Sequence, residues 1–195
     1  MSFASYIRAG RSYERVSTVL NANGFAYTGP VAASTVARDR GTALHEDIAS
    51  FFAQTPSVPG RDMHLFHAFL RDKPHYRMDM FETPVFSDTY GVAGTLDALF
   101  YDTERNVHVL VDWKRAKYLY HESAQRYQMQ LSMYSLFLLE DRGITVSDMY
   151  LVLLHSDNAT YKMEQVPYLD PTTLLGANLL RRDFGDVNEG DMRGE

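Results

Sequence analysis

Hydrophobic and polar positions alternate along this chain in two distinct periods. From Gly41 onward, Leu44, Ile48, Phe51 and Phe52 recur at three- and four-residue spacing, which predicts an amphipathic helix. Thr42 is its expected N-cap, and Pro56, Pro59 and Gly60 close it. A second helix is expected over 61–71 on Leu65, Phe66, Phe69 and Leu70. Three strand-like stretches follow: Arg77 to Phe86, Val92 to Tyr101, and the β-branched run Val107-His108-Val109-Leu110-Val111. Gln125 to Glu140 reads as a long helix with the stripe Tyr127, Leu131, Tyr134 and Leu138, ended by Gly143 in C-cap position. Two strands (149–154 and 160–166) and a helix after Pro171 complete the pattern. The first forty residues read as strand and loop with short helical pieces, and the chain from Asp183 on as a frayed polar tail. Strands mixed with helices in this order predict an α/β fold with a central mixed β-sheet flanked by helices. With no repeat or linker, residues 1–195 read as a single domain: an extension (1–40), a core (41–182) and an acidic tail (183–195).

Composition changes this picture in two respects. With no cysteine among 195 residues, disulfides, thiol nucleophiles and cysteine-bound zinc or iron–sulfur clusters are excluded. The chain also lacks a long apolar stretch or a signal-peptide pattern, so an intracellular protein with no membrane partner is expected, placed in the cytoplasm of the host cell if of phage or bacterial origin. The net charge of −6 argues against a general coat protein for nucleic acid. That charge is unevenly spread. Met1 to Tyr134 holds 14 basic and 14 acidic residues, whereas Ser135 to Glu195 holds 5 and 11. Acidity is therefore confined to the last third.

The sharpest chemical signal is Val111-Asp112-Trp113-Lys114, an acid and a lysine two apart at the end of a buried-type strand. Period-two geometry puts both on one sheet face. There a carboxylate can hold a divalent cation, and a lysine can orient water or offset charge on a phosphate. Alone, so short and common a pattern reads as a surface ion pair at a strand end. Asp97 stands inside the apolar stretch Leu96-Asp97-Ala98-Leu99 and needs a hydrogen bond, a cation or a metal to be buried there. Glu82 is either a solvated strand residue or a partner of Asp97 from the preceding strand. His45, beside the apolar face of its helix, is a boundary residue or the fourth member of the set, an imidazole suited to a transition metal. Gln130 and Tyr134 share a helix face one turn apart, although Tyr134 also fits the core stripe.

Taken together, His45 in Gly-Thr-x-x-His, Glu82, Gly94-x-x-Asp97, Asp112-x-Lys114 and Gln130-x-x-x-Tyr134 resemble the PD-(D/E)xK nucleases. Within that superfamily they resemble the RecB-like exonuclease branch, which holds the RecB nuclease domain, CRISPR adaptation nucleases, and mitochondrial and phage exonucleases. The resemblance spans about residues 41 to 134, and Tyr13 to Leu20 is similar to the N-terminal segment of the phage and mitochondrial members. It implies a restriction-endonuclease-like core and hydrolysis of DNA phosphodiester bonds with Mg²⁺ or Mn²⁺. Catalytic residues would be Asp97, Asp112, Lys114 and Glu82. His45, Asp97, Asp112 and the main-chain carbonyl of Trp113 would face the metal. Gln130 and Tyr134 would position Lys114 or the DNA backbone. Arg115 follows the lysine where the family often has Thr or Ser, and Ala49 and Ser50 stand where an acid is common. The missing cysteines separate the chain from iron–sulfur members.

Arg105, Lys114, Arg115, Lys117 and Arg126 with Trp113, Tyr118, Tyr120 and Tyr127 interleave cations and rings, the combination that single-stranded DNA binding uses, and equally an ordinary solvated face over core aromatics. Arg8, Arg11, Arg15, Arg38 and Arg40 form a second basic set. Expected partners are single-stranded DNA or duplex ends, with a phage recombinase or single-strand-binding protein in recombination or repair. A structure-specific endonuclease and an inactive DNA-binding module on the same fold are the alternatives.

Overall fold

The computed structural model describes residues 6–25, 31–56 and 58–184. Two short strands, β1 (Tyr6–Arg8) and β2 (Arg11–Arg15), form a hairpin and lead into α1 (Val16–Ala22). Then come α2 (Val31–Ala53), α3 (Met63–Asp72), β3 (Tyr76–Ser87), β4 (Val92–Asp102) and β5 (Val107–Lys114). The chain ends with α4 (His121–Arg142), β6 (Val146–Leu153), β7 (Lys162–Val166) and α5 (Thr172–Phe184). All seven strands belong to one mixed sheet.

β4 is the axis of that sheet. β3 runs antiparallel along its whole length on one edge, from Ser87 against Val92 to Tyr76 against Asp102. The opposite edge is shared. β2 pairs parallel with Val92 and Ala93, and β5 pairs antiparallel from Ala98 to Asp102. Between them the sheet forks, leaving Gly94 to Asp97 without a strand on that edge. β6 extends the sheet in parallel from β5, and β7 closes it.

Apolar side chains bury against both faces. Leu99, Leu110, Leu151 and Leu153 pack with Val16 and Leu20 of α1, Leu131, Phe137 and Leu138 of α4, and Leu175 of α5. On the other face, Ala98, Val109, Val111 and Trp113 pack with Leu44 and Ile48 of α2 and Leu65, Phe66 and Phe69 of α3. Fully burying each large side chain contributes about 1.5–3 kcal/mol before entropy is counted. Trp113 is the largest and is met edge-on by Phe66, Phe69 and Phe100.

Two expectations for the N-terminal part need correction. α2 begins at Val31, so Gly41 lies inside it and Thr42 is no N-cap. Residues 31–40 are rich in Ala and Arg, good helix formers, but carry only Val31 and Val36 as large apolar positions. Periodicity has no stripe to detect there. The boundary drawn between residues 40 and 41 accordingly falls in mid-helix. Hairpin β1–β2 is also joined to the sheet through β4. Arg8 fastens it, pairing with Asp88 at 2.8 Å and with Asp141, its guanidinium 4.4 Å from the ring centre of Phe86. Elsewhere the expected elements form with small shifts at their ends, and Gly143 adopts the left-handed φ of +67° that ends α4. Most of the expected acidic tail, from residue 185, lies outside the described residues.

Candidate active site

The site forms where β3, β4 and β5 lie side by side at the fork. Phe81 pairs with Ala98 and Thr83 with Leu96, so Glu82 stands opposite Asp97. Ala98 pairs with Val111, and one further step of that register sets Asp112 opposite Asp97. Three carboxylates from three strands therefore occupy one row across the sheet. Glu82 has φ +41°, a conformation costing a non-glycine residue about 1–2 kcal/mol. Such strain is characteristic of functional positions that the surrounding fold holds in place.

His45 of α2 meets the row from above. Its Nδ1 lies 3.3 Å from Glu82 Oε1, and its Nε2 lies 3.2 Å from the Trp113 carbonyl and 3.7 Å from Asp97 Oδ2. One ligand atom each from His45, Glu82 and Asp97 fall within 4.8 Å of one another, the only such group among the described residues. Asp97 also accepts a 2.9 Å hydrogen bond from the Trp113 amide, which ties the end of β5 to the middle of β4. An open cleft of about 520 Å³, lined by Gly41, Thr42, His45, Glu46, Ala49 and Glu82, leads to the cluster.

Asp112 and Lys114 alternate with Val111 and Trp113 and face α4. The Asp112 carboxylate is 1% exposed, and its Oδ2 lies 2.6 Å from Lys114 Nζ. On its other side Lys114 Nζ is 4.3 Å from the ring centre of Tyr127, a cation–π distance. Gln130 and Tyr134 bond to each other, Nε2 to Oη at 3.3 Å. Lys114 is thus held by Tyr127, three residues before Gln130, a ring that the sequence offers to DNA bases rather than to the lysine. Tyr127 belongs to the same core stripe as Leu131 and Tyr134, and no spacing rule separates a ring that packs on a lysine from one that packs on leucines.

Electrostatics couple these groups. Burial, then the charge of Asp112, pushes the Asp97 carboxyl up to about 7. At His45 burial opposes the charged imidazole, but the hydrogen bond to Glu82 and the charge of Asp97 outweigh it, and the ring is pushed up to about 9. At Lys114 burial is likewise outweighed, by Asp112 and Asp97, and the ammonium form is favoured. Burial raises the Tyr134 hydroxyl well above its ordinary range, so it is a neutral donor.

A polar recess of about 70 Å³ opens beside this cluster, in the fork of the sheet. It is lined by Tyr6 and Arg15 of the hairpin, Ser17, Ala93, Gly94, Gln130 and Tyr134. A Cβ at Gly94 would come within 2.5 Å of the Tyr134 ring, so only glycine fits beneath it. Tyr6 Oη bonds Thr95 Oγ1 at 2.9 Å, which sets the hairpin against the strand that carries Asp97. Tyr6 reaches the site only because β2 pairs with β4, a long-range event without local signature.

Besides Lys114, three of the expected cations are engaged within the fold, the first of them Arg105, which pairs with Asp148 at 2.6 Å. Arg115 Nε lies 2.5 Å from Asp62, a buried residue that also accepts the Ser156 amide. Arg126 is bound to Asn21 at 2.9 Å and to the Phe25 carbonyl. Lys117 is exposed on the loop after β5. Of the second basic set, Arg8 and Arg11 pair with Asp88, and the side chains of Arg38 and Arg40 lie outside the described ones.

No protein-family model and no curated protein matches the sequence. Solved structures do. The protein SSO0001 aligns over 91% of this chain and 79% of its own, with a TM-score of 0.50 at 14% identity. A protein from Eubacterium rectale, described provisionally as an exonuclease, aligns over 90% of this chain and 82% of its own, again at 0.50 and 14%. The alkaline exonuclease of Laribacter hongkongensis aligns over 88% of both chains, with a TM-score of 0.47 at 11% identity. At such identities the likeness is one of fold: a central mixed sheet flanked by helices. Among the described residues no helix is long and apolar enough to cross a membrane.

Proposed function

We propose that this chain is a divalent-metal-dependent DNA exonuclease of the PD-(D/E)xK type, within its RecB-like branch, with residues 1–195 forming one nuclease domain. The observation that carries the reading is the convergence of His45, Glu82 and Asp97 beside the buried Asp112–Lys114 pair. Three carboxylates, an imidazole and a main-chain carbonyl make a donor set suited to Mg²⁺ or, with the imidazole, Mn²⁺. His45, Glu82, Asp97, Asp112 and the Trp113 carbonyl would hold it. Such an ion, when bound, supplies an acidified water and polarises the phosphate.

The remaining roles belong to the chain itself. Lys114 is held as an ammonium, which makes it a charge stabiliser and water-orienting donor rather than a base. Asp112 and Tyr127 fix its position from two sides. The recess is lined by Ser17, Gln130 and Tyr134 and by Arg15, whose guanidinium lies over the Tyr6 ring, and its volume suits one phosphate group of a strand end. A small terminal-phosphate recess favours action at ends over internal cutting. On the resemblance, the setting is DNA processing in a phage or mobile element, alongside a recombinase or single-strand-binding protein.

Digestion of end-labelled DNA tests this reading. Linear single- or double-stranded DNA should be degraded from an end with Mg²⁺ or Mn²⁺, circular DNA should survive, and EDTA should stop the reaction. Cutting of circles would replace the exonuclease by an endonuclease, and binding without cutting in either metal would leave only a binding module. The restraint on Lys114 has its own consequence. Tyr127→Leu should lower kcat about tenfold with little change in KM, whereas Tyr127→Phe, which keeps the ring face, should stay within about twofold. Equal activity of the leucine and phenylalanine variants would remove Tyr127 from this role.

A further inference from the structure

The loop between Lys114 and α4 carries a feature that phosphodiester chemistry does not need. Residues 118–120 alternate: Leu119 is half-buried against the core, while Tyr118 and Tyr120 stand 54% and 66% exposed. Their rings meet edge to face, centroids 5.2 Å apart at 74°, and their hydroxyls are 3.2 Å apart. Exposing two large rings side by side forgoes burial that the leucine between them achieves. The loop is also held. The Lys117 carbonyl accepts from Lys162 Nζ at 3.1 Å and from Asn158, and Arg115 is locked to Asp62. Lys162 thus brings its ammonium against the loop that carries the exposed Lys117.

The loop leaves the sheet at Lys114, and the helix that follows it returns Tyr127 to the Lys114 ammonium. Four residues of chain separate Lys114 from Tyr118, a reach of at most about 14 Å. Rings backed by lysines beside a phosphodiester site suit one ligand class, the unpaired bases of a single strand. A duplex covers its base faces by stacking everywhere but at its two terminal pairs, so a pair of rings beside the strand finds no face inside it. We propose that Tyr118 and Tyr120 form a base-stacking platform that grips single-stranded DNA within a few nucleotides of the scissile bond, so that the strand enters the site unpaired. This rests on the nuclease reading for its substrate and deepens it by naming the strand state.

Binding of the 195-residue chain to a labelled 12-nucleotide oligothymidylate in EDTA, by anisotropy, tests the platform apart from cleavage. Abasic residues are placed at each position in turn. In the wild type, one or two adjacent abasic positions should weaken binding about tenfold. Tyr118→Ala/Tyr120→Ala should bind the intact strand about tenfold or more weakly and lose its response to abasic placement. Tyr118→Phe/Tyr120→Phe should keep both. No measurable binding, no abasic penalty in the wild type, or an unchanged penalty in the alanine double variant would each overturn the platform. Cleavage of the same strands in Mn²⁺ is scored separately. Cutting without an abasic penalty removes the platform and leaves the nuclease, whereas a penalty without cutting removes the nuclease and leaves a single-strand binding surface.

Discussion

Lys114→Met is expected to lower the cleavage rate of linear DNA by about a hundred- to a thousandfold, the usual cost of removing one preorganised charge from a transition state. The variant also removes the partner of a buried carboxylate. Asp112 is 1% exposed, and Lys114 lies 2.6 Å from it. Leaving such a charge uncompensated costs about 3–5 kcal/mol, so the variant in EDTA should unfold at a lower urea concentration. Lost activity could then reflect lost fold, and a second variant separates the two. Asp112→Asn/Lys114→Met replaces the ion pair by neutral groups of similar size and should recover most of the stability. It should recover none of the activity. Cleavage by this double variant at more than a few per cent of the wild-type rate would end the assignment of Asp112 and Lys114.

The second large effect concerns Asp97, where stability and function should pull in opposite directions. Its carboxyl is pushed up to about 7 by burial and by Asp112, from an ordinary value of 3.8, and His45 is pushed up to about 9 from 6.5. Both groups therefore bind protons more tightly in the folded than in the unfolded chain. The contribution of these two groups to metal-free stability should be greatest at low pH, falling for Asp97 as pH rises from about 4 to 7 and for His45 from about 6.5 to 9. Asp97→Asn keeps an acceptor for the Trp113 amide, which Asp97 Oδ2 now engages at 2.9 Å, but carries no charge. In EDTA the variant should melt higher than the wild type, by a margin that grows from pH 4 and levels off above pH 7. Added Mn²⁺ should raise the wild-type Tm most at high pH, where no proton has to be displaced. It should leave the variant nearly unchanged. A variant that gains nothing in EDTA at pH 8, or that keeps the full Mn²⁺ shift, would show that Asp97 is neither a strained buried charge nor a ligand.

How much of this was legible beforehand depends on the range of the interactions. Asp112 and Lys114 were readable as a same-face pair because a strand alternates with period two, and a buried-type run preceded them. Asp97 stood out because one acid among Leu96, Ala98 and Leu99 demands compensation. Gly143 announced the end of α4, since a left-handed residue is cheapest as glycine. The start of α2 did not, because an Ala- and Arg-rich segment becomes helical by propensity without an apolar stripe.

Thus the local pattern alone determined the order of elements, the mixed α/β class, and the acids and lysine that a phosphodiester site would need. Tertiary structure alone decided which of them meet. The registers of β3 and β5 on β4 set Glu82, Asp97 and Asp112 in one row, and a one-residue slip would have turned them to opposite faces. The fork left by β2 and β5 opened the recess and brought Tyr6 and Arg15 to it. Packing of α4 on the sheet assigned Tyr127 to Lys114, while Asp62 and Phe25 occupied Arg115 and Arg126, cations that sequence had offered to DNA. The physical reason is the same in each case. A residue's type and its neighbours in the chain fix what it can bind, but its partner is fixed by register and packing between segments distant in sequence, and no local pattern encodes that.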